Sequence, residues 1–205
     1  MDSIVAIISI ALLAMITPGP NNFIVMHCAV KAGFRAATPL ILAVISGALC
    51  ISTLVWMGIA TLLAAVPWLQ NMITIAGAGY LAFLGASLML KKITSSQSAN
   101  QNLLPSTFKG VFVFQFFNPK SLVLISTLIS ELARVYSTLT SLAILLVLML
   151  IIPLLCLTIW AGFGHLLSAY LRQASVANLF NKIMGALLLI PALYVLWQSL
   201  AIYLI

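Results

Sequence analysis

Long uninterrupted runs of apolar residues dominate the chain and predict membrane-spanning helices. No charged residue occurs within 3–30 or within 36–90. Because about 20 helical residues cross a bilayer core about 30 Å thick, the second run is long enough for two crossings. Its polar interruption at 66–71, which contains Pro67 and Trp68, predicts an interfacial turn between them. The pattern therefore predicts six spans, at about 3–30, 38–65, 70–90, 107–130, 138–165 and 176–203.

Two features recur about 100 residues apart and indicate an internal repeat of three helices. Pro18-Gly19-Pro20 in span 1 corresponds to Asn118-Pro119-Lys120 in span 4, and Gly85 in span 3 corresponds to Gly185 in span 6. Since three is odd, the two halves insert with opposite orientations, as in many secondary transporters. We predict an all-α integral membrane protein, a 3+3 inverted repeat with helices 1 and 4 broken near the midplane. A single transmembrane domain covers 1–205, with halves of about 1–92 and 105–205 and a polar cytoplasmic loop at 93–104.

Composition supports the membrane assignment and excludes several classes of protein. Hydrophobic residues make up 64% of the 205 residues and charged residues only 5%, whereas soluble domains are about one quarter charged. A cytosolic enzyme, a disordered chain and a disulfide-stabilised secreted domain are therefore excluded. The net charge of +7 is spread singly or in pairs between apolar runs, which does not resemble a nucleic-acid-binding face.

The distribution of basic residues predicts the orientation of the chain. Cytoplasmic loops of membrane proteins are enriched in Lys and Arg. Arg134 is the single base in the even-numbered loops, and Lys120 lies within a span. The odd-numbered loops and adjoining span ends hold the other seven bases: Lys31, Arg35, Lys91, Lys92, Lys109, Arg172 and Lys182. These loops are predicted to be cytoplasmic, with both termini outside.

The hexapeptide Thr17-Pro18-Gly19-Pro20-Asn21-Asn22 is predicted to break the first helix. Two prolines remove amide donors and clash with the preceding turn, while Gly19 permits unusual backbone angles. Pro20 suits the first position of a new helix, with Gly19 or Thr17 near its cap. The break lies roughly 16 Å of helix from Lys31, and irregular backbone at that depth must be satisfied by protein or by a water-filled cavity.

Span 4 is predicted to be broken in the same way. Gln115, Asn118, Pro119, Lys120 and Ser121 interrupt an otherwise apolar segment. Lys120 lies eleven residues from both Lys109 and Glu131, which places its ammonium near the midplane, where it costs about 3 kcal/mol or more. An ionisable residue at this depth is a functional-site hypothesis by default.

The two breaks together favour a site for a small anion or zwitterion. Helices that begin at Pro20 and near Lys120 direct positive dipole ends and amides toward the midplane, where they favour a carboxylate. Unwound carbonyls and the side chains of Asn21, Asn22, Asn118 and Gln115 are candidates to accept an α-ammonium. An amino acid fits this description, and so do other small anions.

The alternative interpretation is structural: a packing kink at 18–20, and a Lys120 ammonium bound by backbone carbonyls. The predicted substrate-binding residues are Thr17, Pro18, Gly19, Pro20, Asn21, Asn22, Gln115, Asn118, Pro119 and Lys120.

The hexapeptide at 17–22 resembles the LysE/RhtB family of amino-acid exporters. The resemblance covers all six spans and includes Gly33-Phe34-Arg35, Gly77-Ala78-Gly79-Tyr80-Leu81 with Leu84-Gly85, and Asn118-Pro119-Lys120. It implies a multi-pass exporter of the bacterial inner membrane. Pro18-Gly19-Pro20-Asn21-Asn22 and Gly164-His165-Leu166 look most like the branch that exports cysteine and O-acetylserine.

One departure from the family pattern affects the expected substrate. Many members carry Asp after Pro-Gly-Pro, whereas this chain has Asn21, and its two acids, Asp2 and Glu131, lie at span ends. A basic amino acid would require a fixed acid in the site, so the expected cargo is a small neutral amino acid or a derivative of one. Any coupled proton would have to be carried by Lys120, His27 or the substrate. His27 and His165 near span ends are predicted to be locally hydrogen-bonded rather than proton relays.

Other functional classes fit the sequence less well. An intramembrane enzyme needs a nucleophile with a base, an acid pair or metal ligands, and a metal-ion exporter needs clustered carboxylate, His or thiolate ligands. No such pattern occurs, so no enzyme activity, cofactor or metal is expected. An exporter of another small solute or ion and a non-transporting scaffold subunit remain open. A homo-oligomer also remains open.

Overall fold

The computed structural model describes residues 2–59, 67–90 and 104–201, and within these ranges the secondary structure is helical, without strands. Three short helical turns accompany the α-helices: a π-helical turn at Val55–Ile59 and 3₁₀ turns at Gln115–Phe117 and Tyr170–Arg172. The helices are α1 (Asp2–Ile16), α2 (Pro20–Ala32), α3 (Phe34–Leu54), α4 (Pro67–Leu90), α5 (Phe108–Phe114), α6 (Pro119–Ala133), α7 (Thr138–Leu167) and α8 (Ala174–Ala201).

The lengths and composition of these helices agree with six membrane spans. Four segments are each long and apolar enough to cross a bilayer. Two further spans are bent pairs, in which α1 and α2 meet at 49° and α5, with its 3₁₀ turn, meets α6 at 64°. The order of a bent pair followed by two long helices therefore occurs twice, as a repeat of three spans requires. The predicted all-α membrane fold with breaks in spans 1 and 4 is confirmed.

The connection between spans 2 and 3 differs from the prediction. Pro67 begins α4 and Trp68 lies within it, so the residues from 67 to 71 are helical and not an interfacial turn. Proline is well tolerated in the first turn of a helix because the amide that it lacks has no partner there. α3 ends at Leu54, and the positive φ of 96° at Gly58 kinks the helical backbone in the π-helical turn that follows. The rest of this connection and the predicted polar loop, up to residue 103, lie outside the described residues.

Glycines allow close helix crossings at related positions of the two halves. A Cβ atom on Gly85 of α4 would lie 2.7 Å from the Gly185 oxygen of α8, and one on Gly185 would lie 2.6 Å from the Gly85 oxygen. The glycine pair predicted from the repeat therefore meets at the α4–α8 crossing. Gly164 of α7 is used in the same way, because its Cβ would lie 2.5 Å from the Met26 oxygen of α2. Close backbone approach through small residues is typical of membrane helix packing.

Candidate functional site

The first break separates two helices that meet end to end. α1 ends at Ile16 and α2 begins at Pro20, so three residues lie outside both helices. Gly19 is the N-cap of α2, with extended backbone angles (φ −164°, ψ 177°), and Pro20 occupies the first helical turn, as predicted. The negative end of the α1 dipole and the positive end of the α2 dipole therefore meet at this break.

Side chains from the break itself, from α2 and from α7 satisfy the carbonyl groups at the end of α1. These groups lack partners within their own helix and are costly to leave unpaired in a membrane. The Thr17 hydroxyl donates to the Ala14 oxygen at 2.8 Å, and the Asn22 amide donates to the Met15 and Thr17 oxygens, both at 2.9 Å. The Trp160 indole donates to the Ile16 oxygen at 3.1 Å. Asn22 and Trp160 thus hold the end of α1 in its unwound form.

The amides at the start of α2 are not satisfied in this way. Phe23 N donates to the Gly19 oxygen at 3.0 Å, and Pro20 has no amide hydrogen. Within the described ranges, no acceptor lies against the backbone N–H groups of Asn21 and Asn22. Two free donors at a positive helix end form a suitable environment for an anionic group.

The second break is shorter than the first, and its single non-helical residue, Asn118, caps the helix that follows. Asn118 has non-helical backbone angles (φ −84°, ψ 103°), and Pro119 begins α6. The Asn118 side chain accepts from Lys120 N at 3.1 Å, and its carbonyl accepts from Ser121 N and Leu122 N, both at 3.1 Å. The predicted free amides at the start of α6 are therefore already paired, because Asn118 supplies both a side-chain and a main-chain acceptor.

The Lys120 ammonium joins the two breaks. Its Nζ donates to the Thr17 oxygen at 2.9 Å, to the Thr17 hydroxyl at 3.0 Å and to the Pro18 oxygen at 3.5 Å. These oxygens lie at the negative end of α1, which favours a cation. The described residues place no acid against this ammonium: Glu131 pairs with Arg134 at 3.1 Å on an exposed part of α6. This half-buried charge is therefore stabilised by backbone dipoles.

A reciprocal pair of amides makes a second connection between the breaks. Asn21 Nδ2 donates to Gln115 Oε1 and Gln115 Nε2 donates to Asn21 Oδ1, both at 2.9 Å. Ser121 adds a second donor to Gln115 Oε1 at 3.3 Å, and Gln115 itself is fully buried. In a low-dielectric interior such a satisfied amide network fixes the relative position of its two elements.

Two glycines provide the space for the second break. A Cβ on Gly47 of α3 would lie 2.5 Å from Gln115 Cγ, and one on Gly77 of α4 would overlap the Phe117 carbonyl oxygen. Gly47 therefore allows Gln115 to reach Asn21, and Gly77 allows α4 to cross the 3₁₀ turn closely.

A pocket opens where the two breaks meet, and we call it the polar pocket. It occupies about 380 Å³ including its open mouth. Its polar part is formed by Asn21, Asn22, Asn118, Lys120 and Ser121. Its remaining walls are Met15, Gly19, Pro20, Val44, Leu124, Cys156 and Leu157.

All ten residues predicted for the site lie in the two facing breaks, but their contacts differ in kind. Lys120, Asn21 and Gln115 bridge the breaks, whereas Asn22 and Asn118 cap helix ends. Pro20 and Pro119 begin helices, and Gly19 lies against the Lys120 side chain. Thr17 and Pro18 contribute oxygens from an exposed segment.

The predicted site left out four further residues of this region, Gly47, Ser121, Cys156 and Trp160, although Ser121 was named among the residues that interrupt span 4. No motif in the sequence singles out Trp160, whose indole donates to the end of α1. The polarity of Ser121 beside Lys120 was an available signal. Nothing local distinguishes Gly47 or Cys156, because their importance depends on neighbours far away in the sequence.

Neither histidine is among the residues that line the polar pocket. The His27 ring stacks on Phe23 with a centroid distance of 5.6 Å. His165 is exposed near the end of α7, and its carbonyl accepts from Ser168. A purely local role for both remains a prediction.

Two broken helices that face each other around a half-buried cation, within a bundle of apolar helices, define a multi-pass membrane protein with the architecture of a secondary transporter. The profile of the LysE type translocator family matches residues 12–199, and the chain belongs to this family.

Its curated relatives are bacterial efflux proteins. The match to the leucine efflux protein of Salmonella typhimurium is 29% identical over 116 residues and covers 55% of each chain, so it spans about half the length of that relative. The leucine efflux protein of Enterobacter sp. (strain 638) is 28% identical over 187 residues, covering 86% of this chain and 87% of the relative. The cysteine/O-acetylserine efflux protein of Escherichia coli O1:K1 / APEC is 30% identical over 169 residues, covering 79% and 82%. No solved structure matches the chain significantly.

Proposed function

We propose that the protein exports small neutral amino acids or their derivatives across the bacterial inner membrane, and that the facing breaks bind the substrate. The observation that carries this proposal is the Lys120 ammonium, which lies at the Thr17 oxygen, 2.9 Å away, and beside the polar pocket. The family and the printed names of the relatives support export.

The groups around the first break complement both charges of a zwitterion. Lys120 and the free N–H groups of Asn21 and Asn22 attract a carboxylate. The Thr17 and Pro18 oxygens at the negative end of α1 attract an ammonium. Without substrate, Lys120 Nζ itself occupies these oxygens. An incoming α-ammonium takes its place, and Lys120 then pairs with the substrate carboxylate.

The polar pocket favours a substrate without a second charge. Its lining contains one ammonium and no carboxylate, and an unpaired cationic side chain in a membrane costs about 3 kcal/mol. The relatives are named for leucine and for cysteine and O-acetylserine. Coupling to a proton carried by Lys120 or by the substrate belongs to the same proposal.

A transport assay with one matched pair of lysine variants tests the proposal. Inverted membrane vesicles take up labelled amino acids when the exporter is active. We expect Lys120→Met to reduce uptake about tenfold to a hundredfold at normal protein level, since hydrogen bonds to charged groups contribute about 1.5–3 kcal/mol. Lys120→Arg restores part of the activity, because a planar guanidinium does not reproduce a compact ammonium. Lys109→Met, which removes an exposed lysine from α5, is the control and retains activity.

Two results would contradict the proposal. If Lys120→Met transports normally at normal expression, the ammonium does not bind substrate. If the wild-type protein transports no amino acid, then export of another solute, or a scaffold role without transport, takes its place.

Reporter fusions test the proposed orientation with both termini outside. A reporter at Gln97 should give a cytoplasmic signal and one at Arg134 an external signal, because positive charge is enriched in cytoplasmic loops. A cytoplasmic signal at Arg134 would reverse the assignment.

A further inference from the structure

The span that follows each bent pair carries a tryptophan at the same place. Trp56 lies 22 residues after Phe34, where α3 begins, and Trp160 lies 22 residues after Thr138, where α7 begins. Both indoles donate to main-chain oxygens at 3.1 Å, Trp56 to that of Thr138 and Trp160 to that of Ile16. The two tryptophans are therefore equivalent in the repeat, and each bonds to the main chain of the other half.

The two acceptors lie in different places relative to the polar pocket. Cys156, which lines that pocket, is four residues from Trp160, or about one helical turn. It is 18 residues from Thr138, which corresponds to roughly 27 Å along α7. The Trp160 bond is therefore formed next to the first break, whereas the Trp56 bond is formed at the far end of α7.

The Ile16 carbonyl belongs to the peptide group that joins Ile16 to Thr17. Because a peptide group is planar, a hydrogen bond to its oxygen fixes the orientation of the whole group. The next two carbonyls, those of Thr17 and Pro18, are the ones that accept from Lys120 Nζ. Trp160 thus orients the backbone directly before the oxygens that bind a cation.

Other contacts of α7 hold the Trp160 indole in place. Its ring packs edge-on against Phe163, with a centroid distance of 6.1 Å and an interplanar angle of 88°. About one turn further along, Gly164 allows α7 to approach the Met26 oxygen of α2 closely. The same part of α7 therefore packs on α2 and bonds to the end of α1, so it contacts both sides of the first break.

The Trp160 bond is able to persist while a substrate binds. In the proposed function, Lys120 leaves the Thr17 and Pro18 oxygens for the substrate carboxylate, and the α-ammonium takes its place. Trp160 donates to a different carbonyl, that of Ile16. It therefore keeps the end of α1 oriented while one cation is exchanged for the other.

We propose that Trp160 is a positioning residue for the α-ammonium of the substrate, acting through the Ile16 carbonyl and not by contact with the substrate. This inference rests on the proposed function, because it takes the Thr17 and Pro18 oxygens to bind that ammonium. Loss of the indole N–H should weaken the binding of an amino acid, but not that of a similar carboxylate without an ammonium. Trp56, whose acceptor lies at the far end of α7, has no such role.

Competition between amino acids and 2-hydroxy acids in the inverted-vesicle assay tests this role. Labelled leucine and alanine are the probes, and the competitors are the 2-hydroxy acids with the same side chains, in which a hydroxyl replaces the ammonium. Trp160→Phe keeps an aromatic ring and removes the N–H. It should raise the half-saturating concentration of the amino acid about threefold to tenfold, the effect of one neutral hydrogen bond, at an unchanged maximal rate. Half-inhibition by the hydroxy acid should stay as in the wild type.

Trp56→Phe is the matched control, because it removes an equivalent indole bond of the same length from the other half. Both variants should lose similar stability in detergent unfolding experiments. Trp56→Phe should nevertheless keep the wild-type preference for the amino acid over the hydroxy acid, which a purely structural role of Trp160 would not explain. If Trp160→Phe fails to accumulate in the membrane, Trp160→Leu, which also removes the N–H, replaces it.

The outcomes separate this inference from the proposed function. Amino-acid transport with an unchanged preference in the Trp160 variant, or an equal loss of preference in Trp56→Phe, overturns the positioning role and leaves the export proposal in place. A lower maximal rate at an unchanged half-saturating concentration also overturns it. A wild type that takes up no amino acid overturns the proposed function itself.

Discussion

The two broken helices occupy matching places in the repeat, yet the protein satisfies their backbone groups in opposite ways. At the first break, three residues lie outside the helices, and the carbonyls of α1 depend on Asn22, Trp160 and Lys120. At the second break, Asn118 alone lies between the helical segments and caps α6 locally. The first break thus depends partly on distant residues, Trp160 and Lys120, whereas the second break is capped locally by Asn118.

This difference indicates that the breaks of the two halves have different chemical roles. The open first break presents backbone oxygens and amides. In the proposed function, the oxygens bind the ammonium of the substrate and the amides bind its carboxylate. At the second break, the backbone amides at the start of α6 are already paired by Asn118. This break therefore contributes side chains, Gln115 and Lys120, from a backbone whose position is fixed. Repetition of the helix order therefore does not mean repetition of chemical roles.

The largest expected effect distinguishes the two capping asparagines, Asn22 and Asn118. Both are buried, at 5% and 1% exposure. Asn22→Ala leaves the Met15 oxygen unpaired and should cost about 2–3 kcal/mol, whereas Asn118→Ala removes one N-cap bond and should cost about 1 kcal/mol. Denaturant unfolding in detergent measures both. Equal losses would show that the Asn22 cap at the end of α1 contributes no more to stability than the Asn118 cap at the start of α6.

A glycine substitution in α4 tests the close contact with the second break. Gly77→Ala places a methyl group against the Phe117 carbonyl and should destabilise the fold by about 2 kcal/mol. Gly79→Ala is the matched control, because no neighbour lies within 4 Å of its added Cβ and alanine is the better helix former. The measurement is the same unfolding experiment, and a similar cost for both variants would argue against the crossing.

A double-mutant cycle measures the amide pair that joins the breaks. We expect Asn21→Ala and Gln115→Ala to show a coupling energy of about 1 kcal/mol, since interhelical hydrogen bonds in membranes are of this order. Asn21→Ala combined with Ser130→Ala provides the control, because Ser130 is an exposed residue that donates only within α6. Additive effects of Asn21 and Gln115 would mean that the breaks are held together by other contacts.

The smallest expected effect on stability comes from Gly19→Ala. The extended backbone of Gly19 accepts alanine, but the new Cβ would lie 3.0 Å from Lys120 Nζ. Because a flexible side chain is able to yield, we expect a stability change below about 1 kcal/mol. Substrate uptake should nevertheless fall, because the ammonium is displaced from the Thr17 oxygen. Unchanged uptake would place Lys120 outside the transport cycle.

The sequence by itself determined the six spans, the two breaks and the ten residues that meet there. These features follow from local chemistry, since proline, glycine and polar residues within an apolar run disrupt a helix wherever the run is placed. Only the tertiary structure decided that Trp160 and Lys120 reach the end of α1, that Gln115 pairs with Asn21, and that Gly47 and Gly77 admit the second break. These contacts join residues far apart in the chain, for instance Trp160 and Ile16 at a separation of 144 positions, and depend on how whole helices cross. No local pattern encodes such a crossing, and for that reason the breaks were predictable while their different roles were not.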